Sequence, residues 1–163
     1  MPNTSRLDRL LSKLPPELAD TIAVSRLMFR ITALLEARID AALADDGLSM
    51  REYLALVLIA DNEVEPLRPS DLSLTLDATR TQVTRLLDGL EQKGWVDRQP
   101  GEGDRRTLQV AITESGRKRL RKVMPKVHTI YADTWAPLGI KDTHKWRGLL
   151  GQVYGELSPK VGA

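Results

Sequence analysis

Apolar residues recur along most of the chain at three- and four-residue spacings, and the pattern is sharpest between Thr79 and Trp95. There Val83, Leu86, Leu87 and Leu90 fall at i, i+3, i+4 and i+7, one helical face turned to a core. Thr81, Thr84, Arg85 and Asp88 form a second face, which carries hydroxyls and a guanidinium rather than the usual mixture of Lys and Glu. Thr79 with Gln82 reads as a capping box, and Gly94 ends the helix after Lys93.

Upstream, Pro15-Pro16 precedes a helical pattern over about residues 17 to 44. Its apolar residues, among them Leu18, Leu27, Phe29, Leu34, Ile39 and Leu43, spread around several sides, which predicts contact with a second subunit. ADDG at 44–47 stops it, with Gly47 in the left-handed position after the helix end. Ser49 and Glu52 form another capping box for a heavily apolar core helix running to about Asn62. EVEPLRP reads as a loop, and Pro69 opens a short helix over about 69–76, closed by the tight turn LDA at 76–78.

Downstream, WVDRQ (95–99) and LQVAI (108–112) alternate as strands do, joined by PGEGDRRT. Thr113 caps a long helix beginning ESGRKRLRK, which Pro125 should kink rather than end. Its predicted apolar stripe is Leu120, Met124, Val127, Tyr131, Thr134 and Leu138. Pro137-Leu138-Gly139 breaks it, and a last helix covers about 141–157 with Trp146, Leu149, Leu150, Val153 and Leu157. Two short helices joined by a tight turn and followed by a hairpin describe a winged helix-turn-helix. The expected fold is therefore mainly α with a small β-wing. A winged helix-turn-helix DNA-binding domain occupies residues 48–113, and 1–47 and 114–163 are the two parts of a helical dimerisation domain.

Charge sharpens this picture. Residues 1–79 carry 8 Lys+Arg against 13 Asp+Glu, net −5, whereas residues 80–126 carry 12 against 6, net +6. The basic stretch begins at the polar-faced helix, as expected of a surface that meets a polyanion, although a charged face can also be merely solvated. The 163 residues suffice for one domain or two small ones. The longest apolar run, YLALVLIA at 53–60, is far short of the ~20 residues that span a bilayer. MPNTSRLDRLLSKLPPE has no apolar signal-peptide core, so the expected location is cytoplasmic and no membrane partner is expected. There is no cysteine, and His128 and His144 stand apart from any ligand cluster, so neither a metal nor another cofactor is expected. No Gly-rich phosphate loop or nucleophile–base constellation remains to suggest an enzyme. The alternative to a DNA-binding regulator is a winged-helix protein-interaction module without specific DNA binding, against which the retained Arg85, Arg105 and Arg106 argue.

The segments GLSMREYLALVLIA and LRPSDLSLTLDATRTQVTRLLDGLEQKGWVDRQPGEGDRRTLQVAITESG resemble a MarR-family transcriptional regulator. The specific parts are LExKGW, the GDRR wing tip, and AITESG, which matches the family's L-T-x-x-G with Ile for Leu. The resemblance covers roughly residues 17 to 157. Within the family, Thr84-Arg85, LEQKGW and the later Met-Pro are most similar to the EmrR (MprA) type of multidrug-efflux repressor. The resemblance implies a homodimer on a pseudo-palindromic double-stranded DNA operator. It implies release by a small aromatic effector, such as a phenolic or hydroxylated aromatic acid, and control of efflux or aromatic-catabolism genes. Oxidant sensing through cysteine is excluded.

Residue roles follow from chemistry and from the resemblance. Arg85 can donate bidentately to guanine O6 and N7. Thr81 and Thr84 suit phosphates or a thymine methyl, and Arg80 and Gln82 lie at a helix N-terminus that favours phosphate. Arg98 and Ser70 are expected on phosphates. Asp88 either orients Arg85 or pairs with a wing residue. The family pattern implies that Asp104 stiffens the wing, with Arg106, and less directly Arg105, entering the minor groove. Asp104 is otherwise a turn residue. The family's effector pocket implies Arg26 or Arg30, Tyr53, His128, Tyr131 and Trp135, the last three sharing a helical face that could equally be core.

Overall fold

The computed structural model describes residues 9, 11–61, 67–100 and 108–158. The chain divides into two compact units, residues 1–53 and 54–163.

In the first unit, α1 (Pro16–Leu43) leads through a single 3-10 turn, Ala44–Asp46, to Gly47. Gly47 has φ 70°, and its N–H donates to the Ala44 carbonyl at 2.9 Å, so the left-handed residue ends the helix as its position suggests. The next helix, α2 (Met50–Asp61), is capped twice. Glu52 accepts from the Ser49 N–H at 2.9 Å while Ser49 Oγ accepts from the Glu52 N–H at 3.2 Å, and Asp40 of α1 accepts from the Met50 N–H at 2.6 Å. These bonds satisfy amide groups that a helix start leaves unpaired. Ile39, Leu43, Leu48 and Tyr53 are buried, whereas most large apolar residues earlier on α1 are exposed.

The second unit holds the rest of α2, then α3 (Pro69–Thr75), α4 (Arg80–Gln92), the strands β1 (Val96–Pro100) and β2 (Leu108–Ile112), α5 (Glu114–Trp135) and α6 (Gly139–Leu157). Pro69 stands at the first position of α3. The turn after α3 closes through the Leu76 N–H on the Leu72 carbonyl at 2.9 Å and the Ala78 N–H on the Ser73 carbonyl at 3.0 Å. It places Asp77 at φ 46°, a conformation that Asp tolerates better than most residues. α3 packs on α4 and β2, and α4 packs on β1. Leu72, Val83, Leu87, Leu90, Val96 and Val110 are fully or almost fully buried.

β1 and β2 are antiparallel, with Val96 opposite Ile112 and Arg98 opposite Val110. The segment EVEPLRP is not wholly a loop. Leu67 forms a β-bridge to Val110, whose N–H donates to the Leu67 carbonyl at 3.0 Å. A single bridging residue leaves no alternation in the sequence by which to see it.

Thr113 and Gly116 fasten α5 to the hairpin base. The Thr113 N–H donates to the Trp95 carbonyl at 3.0 Å, its hydroxyl donates to the Gly94 carbonyl at 2.8 Å, and the same oxygen accepts from the Gly116 N–H at 3.0 Å. A Cβ on Gly116 would lie 2.1 Å from the Trp95 carbonyl oxygen, so glycine is required by the close approach of helix and hairpin. That approach sets which side of α5 faces inward. Gly116, Leu120, Val123, Val127 and Ile130 are its buried residues, while Met124, Tyr131, Thr134 and Leu138 of the predicted stripe are only half-buried. α5 continues through Pro125, and a 3-10 turn, Ala136–Leu138, separates it from α6, whose first residue, Gly139, has φ 68°.

Candidate nucleic-acid interface

The helix α4 is built to show one face outward. Thr79 Oγ1 accepts from the Gln82 N–H at 3.3 Å, and Gln82 Oε1 accepts from the Thr79 N–H at 2.8 Å and its hydroxyl at 3.0 Å. This capping box fixes the helix start, and it occupies the Gln82 carbonyl oxygen. Val83, Leu87 and Leu90 are buried, and Arg80, Thr81, Gln82, Thr84, Arg85 and Asp88 are all exposed. The Thr84 hydroxyl donates to the Arg80 carbonyl at 2.9 Å, so it turns its methyl and its lone pairs outward. Thr84 therefore suits a thymine methyl better than a phosphate, which needs a donor.

Arg98, in the middle of β1, is placed differently. Its Nη2 donates to Asp88 Oδ1 at 2.5 Å and lies 3.4 Å from the Thr84 carbonyl oxygen. Its Nε lies 3.5 Å from Glu91 Oε2 and is buried without hydrogen-bond alignment. The Arg98 side chain is only 18% exposed. Asp88 thus pairs with a wing residue, one of the two roles its position suggested. Nothing local in the sequence signals the Glu91 contact, because the partners lie on different elements.

Ser70 is exposed near the start of α3, with its Oγ 3.5 Å from Asp71 Oδ1. Asp104, Arg105 and Arg106 lie outside the described residues. Trp95, at the hairpin base, is buried beneath two cations: Lys93 Nζ sits 5.1 Å and the Arg119 guanidinium 5.2 Å from its ring. Sequence spacing does not reveal that grouping either.

The residues considered for a small ligand are distributed unevenly. Arg26 and Arg30 are exposed on α1, and Tyr53 is buried in the first unit. On α5, His128 is exposed, and Tyr131 and Trp135 are half-buried. Burial raises the Tyr131 hydroxyl above the usual tyrosine pKa. Trp135 lines a shallow apolar hollow of about 240 Å³ with Ala132, Ala136, Gly139, Ile140 and Thr143, and neither His128 nor Tyr131 reaches it. Among the described residues there is no group of three His, Asp or Glu side chains that could hold a metal ion. No helix among them is long and apolar enough to cross a membrane.

A sequence profile described as MarR family matches residues 46–107, from the 3-10 turn to the wing. The chain is 32% identical over 117 residues to the transcriptional repressor MprA of Escherichia coli K12, an alignment covering 72% of this chain and 66% of MprA. It therefore spans just under two thirds of that relative's length. It is also 30% identical over 138 residues to the HTH-type transcriptional repressor YetL of Bacillus subtilis, covering 80% of this chain and 78% of YetL. The crystal structure of AbsC, a MarR family transcriptional regulator from Streptomyces coelicolor, superposes with a TM-score of 0.76 at 25% identity, covering 83% of this chain and 92% of AbsC. A Staphylococcus aureus MepR–DNA complex shares the fold, with a TM-score of 0.77 at 20% identity and coverage of 82% and 97%. MprA is named as a transcriptional repressor and AbsC as a transcriptional regulator.

Proposed function

Because the chain belongs to the MarR family of transcriptional regulators, we propose that it is a homodimeric repressor acting in the cytoplasm on a pseudo-palindromic operator. The observation that carries this reading is the division of α4 into a buried face, Val83, Leu87 and Leu90, and an exposed one, Thr81, Thr84 and Arg85. A helix anchored this way can lie in a major groove with its side chains on base edges. Arg85 donates to guanine, the Thr84 methyl packs on thymine, and Thr81, Arg80, Gln82 and Ser70 hold the flanking phosphates. Arg106, and less directly Arg105, serves the adjacent minor groove, and Asp104 stiffens the wing.

Residues 1–47 and 114–163 supply the dimer contact around the DNA-binding segment 48–113. In support, Leu27, Phe29 and Leu34 on α1 and Ile140, Tyr154 and Leu157 on α6 are exposed apolar residues, the composition of surface that a second subunit covers. A small aromatic acid releases the operator by binding one spacing of the two α4 helices better than the other. Arg26 or Arg30 is the candidate for its carboxylate, and Tyr53, His128, Tyr131 and Trp135 are each candidates to contact its ring. Solved structures of this fold include a Mycobacterium tuberculosis MarR family protein with salicylic acid and Rhodococcus jostii CouR with p-coumaroyl-CoA. The regulated genes serve efflux or the catabolism of an aromatic compound.

The test is fluorescence anisotropy on the DNA upstream of the protein's own gene and on a scrambled duplex, at two salt concentrations, with and without a panel of aromatic acids. Tight, selective binding released by one compound is the expected result. Equal, steeply salt-dependent binding to both duplexes would mean phosphate contacts alone and would contradict the reading.

A further inference from the structure

Arg98 stands where three parts of the second unit meet. It is the central residue of β1, opposite Val110 of β2, and the Val110 N–H in turn donates to the carbonyl of Leu67, two residues before α3 begins. From that position its guanidinium reaches across to α4 and engages Thr84, Asp88 and Glu91, which lie at i, i+4 and i+7 along one flank of the helix. One side chain therefore spans two turns of α4 and ties them to the middle of the sheet.

The charges explain why such a tie is needed. Asp88 and Glu91 are both part-exposed, with side chains 57% and 44% accessible, on a helix whose exposed face must approach a polyanion. Left alone, two carboxylates there repel phosphate. A planar guanidinium can hold a carboxylate and a carbonyl through one nitrogen and face a second carboxylate through another, which an ammonium cannot do from one point. With Nη2 and Nε directed into α4 and most of the side chain covered, Arg98 is badly placed to serve a phosphate as well. Moving it outward would strand both carboxylates beside the DNA.

Granting the DNA-reading role assigned to α4, we propose that Arg98 is a positioning residue for sequence discrimination. It holds the recognition helix at a fixed angle to the wing and offsets part of the negative charge of Asp88 and Glu91, and it does not contact DNA itself. A positioning residue acts on the specific complex, where both elements must engage at once, and leaves the phosphate contacts counted by the salt dependence unchanged.

The test uses full-length protein and a duplex that the wild type selects from a random-sequence library, with a scrambled duplex of equal composition as reference. For Arg98→Met, the ratio of selected to scrambled affinity should fall about tenfold, as for residues coupled through a shared contact, with the salt slope unchanged. Asp88→Asn gives an opposed pair of signs. Removing a negative charge should leave scrambled binding equal or stronger, while selected binding falls. Arg98→Lys should not restore discrimination. Asp88→Asn keeps the test valid if Arg98→Met fails to fold. Equal weakening on both duplexes, with a slope smaller by about one, would make Arg98 a phosphate contact and overturn the proposal. Undiminished selectivity in both Arg98→Met and Asp88→Asn would overturn the positioning role alone. A wild type that selects no sequence would contradict the DNA-reading role itself, and the positioning role would fall with it.

Discussion

α4 and α1 treat their apolar residues in opposite ways. On α4, Val83, Leu87 and Leu90 are at most 1% exposed, so the helix completes its packing within one chain. On α1, Leu27, Phe29 and Leu34 are 57%, 77% and 61% exposed, and burial is confined to Ile39 and Leu43 near its end. α6 resembles α1, since no residue of it is buried. The contrast separates two kinds of unfinished surface. The outward face of α4 is polar, stable in water and specific in its donors, as a nucleic-acid reader must be when free. The outward faces of α1 and α6 are apolar and costly in water, as expected of surfaces permanently covered by a partner.

The largest expected effect lies in the closed region. Gly116→Val places side-chain atoms against the Trp95 carbonyl, where even a Cβ would sit at 2.1 Å. A loss of about 3 kcal/mol in urea denaturation is expected, the upper end of overpacking costs. Next is Phe29→Glu, which should leave the protomer's helicity intact yet weaken the proposed dimer by about 2 kcal/mol, the size of an interface hot spot. Sedimentation equilibrium checks it, and an unchanged dimer would move the interface elsewhere. Arg85→Ala should then reduce discrimination at one guanine by about 1.5 kcal/mol with the fold unaffected, measured by titrating base-substituted duplexes. The smallest effect belongs to Thr79→Ala. Loss of the cap that pairs with Gln82 should destabilise the protein by about 1 kcal/mol in thermal unfolding, well below the Gly116 variant.

What could be read in advance was whatever depends on neighbours in sequence. Both capping boxes, the Pro69 helix start, the left-handed Gly47 and the two faces of α4 follow from spacings of three and four residues. What escaped depends on contacts between distant elements. Met124 and Tyr131 are large and correctly spaced, yet Val123 and Ile130 are the buried pair, because they share the helical face of Gly116, which packs closely on Trp95. Leu67 joins the sheet through one bridge, too short for a periodic signal. The charge of Arg98 alone suggests a phosphate contact, and only the packed structure shows Asp88 and Glu91 at its guanidinium. Opposite charges were visible in the sequence, but their proximity was not.

The most direct measurement of the account is methylation interference at guanine N7 on the upstream duplex, because N7 is an atom that Arg85 is assigned to read. Two interfering clusters about one helical turn apart, both abolished by Arg85→Ala, are the expected result for a dimer presenting two α4 helices to successive major grooves. Retention of binding with no interference at any guanine, or clusters that persist unchanged in Arg85→Ala, would contradict it.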